Sequence, residues 1–292
     1  MRFKTKVINA PIFEKMCQSL ERLAKAWVLR LTSDRTHFIV AKPDVDSGLQ
    51  VWGQIISDVI FEEMKIESAN NNEIWLEVSG EFLHKALKSS ERANDVTLKL
   101  TKKDDLPVLS FICQNQSRTG KTLTVVQDVP VRVMTPQQTR ELTEPVFGNA
   151  DVYIILPALS NVRAITDRMK SLSAFVTIAA NNSGDFIMKV AENKVKVETV
   201  FKELINPELD ASQAQLSQEP SVNRNPALFA EARVDVRDFQ KFLQSYVVNP
   251  SQVVCCILDK RGLVLYVYVS TDGMNPHQCG SLTYYMVAKR EN

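Results

Sequence analysis

One order of elements is spelled twice along the 292 residues, and that repetition restricts the chain to folds made of two copies of one unit. In the first half, Arg2 to Ile8 alternates as a strand, with Phe3, Thr5 and Val7 on one face. Pro11 suits the first position of a helix, and Ile12, Met16, Leu20, Leu23 and Ala24 recur at helical spacing through Lys25. Trp27 to Leu31 and His37 to Ala41 read as strands joined by Thr32-Ser33-Asp34-Arg35, and further strands are expected at Gln50 to Ile56, Phe61 to Ile66 and Glu73 to Val78. Ser79 is placed to cap a second helix in which Phe82, Leu83, Ala86 and Leu87 face inward. Strands at Val96 to Thr101, Val108 to Cys113 and Thr122 to Val126 finish the half.

From Asp151 the order begins again. A strand at Val152 to Leu156 leads to a helix at Ala158 to Leu172, then strands at Phe175 to Ala180, Phe186 to Val190 and Val195 to Phe201. Val234-Asp235 repeats Val78-Ser79 as an apolar strand end followed by a capping residue, and Phe239, Phe242 and Leu243 repeat Leu83, Ala86 and Leu87. Val253 to Leu258, Gly262 to Val269 and Ser281 to Val287 complete the copy. The expected class is α+β, two similar domains each with two helices packed on antiparallel sheet. Residues 1–129 form the first domain and 151–292 the second, with 130–150, which holds Pro130, Pro136 and Pro145, as an extended connector. A second polar stretch, 206–225, reads as a mobile surface loop.

Composition removes several classes of function. No apolar run approaches the roughly 20 residues of a membrane span, and the start at Met1-Arg2-Phe3-Lys4 lacks the plan of a signal peptide. Cys17, Cys113, Cys255, Cys256 and Cys279 form neither a disulfide framework nor a CxxC site, and read as reduced thiols. With 35 basic and 34 acidic residues the net charge is +1, so any contact with nucleic acid requires charge sorted by surface.

The helices do sort it. Taken as 11–25, 81–92, 158–170 and 236–244, they hold eleven basic residues against six acidic ones. Opposite the apolar stripes stand Lys15, Arg22 and Lys25, then Lys85, Lys88 and Arg92, then Arg163 and Lys170, and finally Arg237 and Lys241. One such helix has a plain explanation, since Lys and Arg are good helix formers on any solvated face. Four facing a common surface would give a diffuse cationic lining suited to phosphates and without base-reading geometry.

Chemistry of other kinds is poorly represented. Gly120-Lys121-Thr122 ends like a phosphate-binding loop, but Asn115 stands where an earlier glycine is needed and a strand follows. His37, His84 and His277 share no metal-ligand spacing; His84, on a polar helix face, is a solvated residue with DNA contact as the alternative. Asp44, Asp46, Asp104 and Asp105 are turn residues, and Cys255 and Cys256 lie in an apolar strand. The sequons Asn115-Gln116-Ser117 and Asn181-Asn182-Ser183 read as chance matches. No metal, cofactor or catalytic group is expected.

Several stretches resemble a known family. They are Met1-Arg2-Phe3-Lys4-Thr5-Lys6-Val7, Leu29-Arg30-Leu31-Thr32-Ser33-Asp34 ahead of Phe38-Ile39, Val51-Trp52, and above all Asn71-Asn72-Glu73-Ile74-Trp75-Leu76-Glu77-Val78 followed by Leu83 and Ala86-Leu87-Lys88. In order and spacing the chain resembles the sliding DNA clamps, and within them the Hus-type subunits of the heterotrimeric DNA-damage checkpoint clamp, the nine-one-one complex. The resemblance implies the DNA-clamp fold and a ring with two other clamp subunits around double-stranded DNA, helices lining the hole. A clamp loader would open and close that ring, and repair and checkpoint proteins would dock on it. Subunits of such rings meet strand to strand, which here implicates Thr122, Leu123, Thr124, Val125 and Val126 on one edge. Val195, Lys196, Val197, Glu198 and Thr199 would form the other. It implies a nuclear protein, with the cytoplasm as a second compartment and no membrane partner. The end at Asn292 soon after the last strand is read as lack of a phosphorylatable tail. A homotrimeric replication clamp is the alternative within the fold, and a DNA-processing nuclease the alternative from another class.

Overall fold

The computed structural model describes residues 1–41, 48–116, 122–192, 195–207, 225–270 and 279–290. Asp44, Asp46, Ser117, Gly120, Lys121, His277 and most of the 206–225 stretch lie outside the described residues. The chain divides into two compact units with the main break between Thr143 and Glu144; Gly48 to Val51 group with the second unit, and Cys279 and Gly280 with the first.

The first unit runs β1 (Arg2–Val7), α1 (Ala10–Glu21), β2 (Ala26–Leu31), β3 (Arg35–Val40), β4 (Leu49–Ile56), the single turn α2 (Ser57–Ile60), β5 (Phe61–Glu67) and β6 (Ile74–Ser79). It continues with α3 (Gly80–Ser90), β7 (Asp95–Lys103), β8 (Leu106–Gln116), β9 (Thr122–Val133) and α4 (Pro136–Arg140). Its strands lie in the order β4-β3-β2-β6-β9-β8-β7-β1-β5. The second unit runs β10 (Val152–Ile155), α5 (Leu159–Met169), β11 (Phe175–Ala180), β12 (Phe186–Glu192), β13 (Val195–Phe201) and β14 (Ala230–Asp235). Then come α6 (Val236–Leu243), a short 3-10 turn (Gln244–Val248), β15 (Gln252–Leu258), β16 (Gly262–Val269) and β17 (Gly280–Val287).

The repeat is one of pairing as well as order. β1 pairs with β7 and β7 with β8 and β8 with β9; correspondingly β10 pairs with β15, β15 with β16 and β16 with β17. On the other side of each unit, β2 lies between β6 and β3 as β11 lies between β14 and β12. Register agrees too, since Ala26 faces Ser79 and Trp27 faces Val78, while Phe175 faces Asp235 and Val176 faces Val234. Even the second helix of each unit is tied in the same way. The Gly80 N–H donates to Lys25 O (3.2 Å), and the Val236 N–H to Ala174 O (2.9 Å). Asp235 caps α6 through its side chain, whereas Ser79 precedes α3 without a side-chain cap bond.

Each pair of helices covers one face of its own sheet. Phe13 of α1 meets Phe61 edge-on at 5.5 Å and Phe38 at 5.9 Å; in the second unit Phe242 of α6 meets Tyr284 at 5.2 Å. These rings are almost wholly inaccessible, and each such burial stabilises the fold by roughly 1.5–3 kcal/mol. The alternation of β1 holds as read: Phe3, Thr5 and Val7 are buried toward α1, and Arg2, Lys4 and Lys6 project from the opposite face.

Three local readings change. First, α1 ends at Glu21, because the Leu23 N–H turns back to Leu20 O (2.9 Å) and tightens the last turn, although Leu23 and Ala24 remain buried. Second, Phe82 is 51% exposed rather than inward. It lies on the flank of α3, about 100° from the stripe formed by Leu83, Ala86, Leu87 and Ser90. Third, β7, β8 and β9 are longer than their apolar runs. β8 and β9 stay paired from Val108↔Pro130 out to Gln116↔Thr122, because ladder hydrogen bonds do not depend on side-chain polarity. Residues 130–133, read as the start of a connector, therefore continue β9, and Val131 to Val133 pair with β6. Farther on, α4 is closed by a capping box between Thr135 and Gln138.

The turn readings at Asp104, Asp105 and Thr32 to Arg35 stand. Asp104 and Asp105 take left-handed φ values of 48° and 61° in the two-residue turn beneath the Lys103↔Leu106 pair. Thr32 accepts from the Arg35 N–H (3.0 Å) and donates to Asp34 (2.7 Å), closing the β2–β3 hairpin.

Candidate nucleic-acid interface

Helical geometry decides which side chains look away from each core. On α3, Lys85 and Lys88 lie opposite the buried stripe, with Glu81 on the same line. Both lysines are exposed, and Lys85 is paired with Glu81 at 2.5 Å. Arg92 falls in the turn just after α3 and is also exposed. On α1, Lys15 is exposed one turn past Pro11; Arg22 is the C-terminal cap and Lys25 stands at the entry to β2.

In the second unit, Arg237 and Lys241 lie opposite the Val236, Phe239, Phe242 and Leu243 stripe of α6. Lys241 is drawn to Asp238 (3.5 Å). Arg163 is not fully outward: it is half-buried, 3.9 Å from Asp167, and its guanidinium sits 4.9 Å over the Tyr246 ring. Lys170 is the exposed cap of α5. Sequence reasoning left out Arg168, which is exposed and faces away from the Leu159, Val162, Thr166 and Met169 stripe. The helical spacing that found Lys15 and Arg22 would have found it.

The structure thus brings Lys15, Lys85 and Lys88 onto the outward surface of the α1/α3 pair, and Arg237 and Lys241 onto that of α6. It leaves Arg22, Lys25, Arg92 and Lys170 in the turns past the helices. Within the helices themselves seven basic residues meet five acidic ones, a smaller excess than the longer helices imply. The turn cations also have a local reason to be there, since positive charge complements the C-terminal end of a helix dipole.

The lateral faces are set by neighbouring elements. His84, on the flank of α3 toward α1, is enclosed rather than solvated: Nε2 lies 2.5 Å from Glu14 Oε1 and Nδ1 lies 2.8 Å from Glu21 Oε2. On the other flank, Ser89 accepts from the Gln127 amide of β9, which fixes α3 along that strand. Gln240 of α6 donates to Asp167 of α5 at 2.6 Å.

Among the described residues, both strand edges singled out for subunit contact lack a second strand partner. Thr122 to Val126 pair with β8 on one side, while only Val131 to Val133 of β9 reach β6 on the other. Leu123, Val125 and Val126 are 56%, 38% and 55% exposed. β13 is the terminal strand of a four-stranded sheet, bonded among the described residues to β12 alone, and its Val195 and Val200 are exposed. Lys196 and Glu198 are exposed as well, with Val197 and Thr199 half-buried.

Among the described residues no group of three metal-ligating side chains lies together. All five cysteines are buried and outside any disulfide, and burial pushes the Cys17, Cys255 and Cys256 thiols up, away from the reactive thiolate. Asn181 is buried, holding Asp185 through its amide and accepting from the Ser183 and Asp185 N–H groups, so its sequon is a turn motif. No helix among the described residues is long and apolar enough to cross a membrane.

Known proteins share both this sequence pattern and this geometry. The family model for Hus1-like proteins matches residues 1–290. The chain belongs to the Hus1-like family. The checkpoint protein hus1 of Schizosaccharomyces pombe is 35% identical over 287 residues, 98% of each chain. Checkpoint protein HUS1 of Homo sapiens is 31% identical over 266 residues, 89% of this chain and 92% of that one. The Dictyostelium discoideum homologue is 32% identical over 291 residues, 98% of each. Among solved structures, Proliferating Cellular Nuclear Antigen from Entamoeba histolytica superposes with a TM-score of 0.70 at 14% identity, over 99% of both chains. PCNA from Thermococcus kodakaraensis gives 0.68 at 16% identity, over 98% of this chain and all of that one. The fold is therefore the sliding-clamp fold, and this Hus1-like chain is a checkpoint clamp subunit, a scaffold rather than an enzyme.

Proposed function

We propose that the chain occupies one place in a ring of three different clamp subunits, closed around double-stranded DNA at sites of damage. Residues 1–133 and 151–292 serve as its two clamp domains, the connector being shortened from 130–150 to 134–150 by the extension of β9. The observation that carries the reading is the coincidence of outward cations on the helices with two open strand edges, one per unit, in a chain of the Hus1-like family. Lys15, Arg22, Lys25, Lys85, Lys88, Arg92, Arg163, Lys170, Arg237 and Lys241 contact the phosphate backbone, and Arg168 joins them. Such contacts are weak and salt-dependent, so encirclement retains the DNA while the lining tolerates sliding.

Thr122 to Val126 pair with a strand of one neighbouring subunit and Val195 to Thr199 with a strand of the other, which satisfies edges that would otherwise invite aggregation. A clamp loader opens the ring, and checkpoint and repair proteins use it as a platform in the nucleus. Co-expression with the two candidate partner subunits tests this directly. A one-to-one-to-one complex that stays on closed circular DNA and slides off linear DNA is the expected result. A stable homotrimer of the chain alone would favour a replication clamp instead.

A further inference from the structure

On the face of the first unit's sheet opposite α1 and α3, three lysines stand in one row across adjacent strands. Lys4 of β1 is the direct cross-strand partner of Lys65 of β5 on one side and of Lys99 of β7 on the other. Directly opposed residues of antiparallel strands share a face and lie ~5 Å apart, so the three stems rise within about 10 Å of one another. Like charges placed opposite each other weaken a sheet. The surrounding cations avoid that cost through carboxylates: Arg2 faces Glu67 (3.9 Å), Lys6 holds Glu63 (2.7 Å) and Lys103 holds Asp128 (2.8 Å). Lys4, Lys65 and Lys99 make no ion pair within 4 Å among the described residues, although Lys4 and Lys65 act on Glu63 and Lys99 on Asp128 from farther off, and Lys4 and Lys65 are exposed.

We propose that this row is a docking site for a short acidic segment of a partner protein. Its size and borders select the occupant. Glu63, Glu67 and Asp128 bound the row, so a nucleic-acid strand laid across it would carry phosphates over carboxylates. The next residue in the row after Lys99 is Ser110, and no aromatic ring is present there to stack on a base. Two or three neighbouring carboxylates fit between those borders. β5 is also the terminal strand of the sheet. An extended segment laid beside it past the bulge at Glu63, where φ is 52°, would add main-chain bonds next to Lys65. The site lies on the sheet face away from the cationic surface of α1 and α3 and does not depend on it.

The test uses the full chain with Lys4→Gln, Lys65→Gln and Lys99→Gln combined. A control combines Lys102→Gln, Lys202→Gln and Lys260→Gln, which removes the same charge from exposed positions elsewhere. Binding of a fluorescent oligoglutamate peptide and of a short DNA duplex is measured by anisotropy at physiological ionic strength. The expected result is about tenfold weaker peptide binding for the first variant only, with duplex binding unchanged and a melting temperature equal to or above that of the parent. Equal losses in both variants would reduce the effect to net charge and overturn the site. Loss of duplex binding alongside the peptide would make the row a nucleic-acid contact, and a lowered melting temperature would make the lysines structural; either result overturns the proposal.

Discussion

His84 Nε2 lies 2.5 Å from Glu14 Oε1, and this contact joins α3 to α1 across the seam of the first helix pair. Because Nδ1 meets Glu21 Oε2 farther along α1, the ring holds that helix at two points. His84→Ala leaves two carboxylates facing one another without a donor between them. The fold should lose about 1–2 kcal/mol, read as a lower urea midpoint with unchanged slope.

Lys85 and Lys88 lie on the solvent side of α3, away from its apolar stripe. Replacing both with Glu should leave the melting temperature within a degree or so, since surface substitutions of this kind move stability by less than ~0.5 kcal/mol. DNA affinity should fall, and the dependence of log K on log salt should flatten by about one for each phosphate that is no longer neutralised. Titration of a duplex at several salt concentrations measures both. An unchanged slope would remove these residues from the DNA surface.

Leu123 and Val126 give the β9 edge much of its exposed apolar area. Leu123→Asp with Val126→Asp should leave the isolated chain folded, because neither side chain is part of a core. Co-purification with one partner subunit should be abolished while the β13 junction with the other survives. Pairwise pull-downs separate the two junctions.

His37 carries a pH signature in the first unit. Burial, and secondarily the Arg30 and Arg35 cations, lower its pKa to about 4. In the unfolded chain it titrates near 6.5, so between those values the unfolded state binds more protons and stability rises with pH. Its contribution is full above about pH 6.5 and fades by up to ~1.4 kcal/mol per unit as pH falls toward 4. His37→Gln should flatten that part of the curve in urea titrations between about pH 4 and 7. Glu73 titrates in the same direction at lower pH, held below the usual carboxylate range chiefly by its hydrogen bonds from Arg30.

Much of the fold is legible before any coordinates, because helices and strands bury one face each. Phe3, Thr5 and Val7, or Phe239, Phe242 and Leu243, declare that face by period alone. What stays hidden depends on neighbours. The polar ends of β8 and β9 are strand because each finds the other, and no periodicity marks them. Phe82 looks like core by composition, yet its angular position puts it on a flank. His84 reads as a solvated helix residue until α1, distant in the chain, supplies Glu14 and Glu21. For the proposed DNA surface, residue type and helix phase predict that Lys15, Lys85, Lys88, Arg237 and Lys241 face outward, as they do. They cannot show that Arg163 is occupied by Asp167 and Tyr246, or that the helices end early enough to leave four cations in turns.

The two open edges differ in a way that gives each molecule a direction. The β9 edge, Thr-Leu-Thr-Val-Val, carries no charge, while the β13 edge, Val-Lys-Val-Glu-Thr, presents Lys196 and Glu198. Main-chain pairing is blind to identity, so such side-chain differences must tell one neighbour from another. Three distinct chains can be arranged around a circle in two cyclic orders, mirror images as sequences. In the proposed ring, a subunit whose two ends are unlike can reject one of them, and every protein that reads the outside would then meet the same succession of faces.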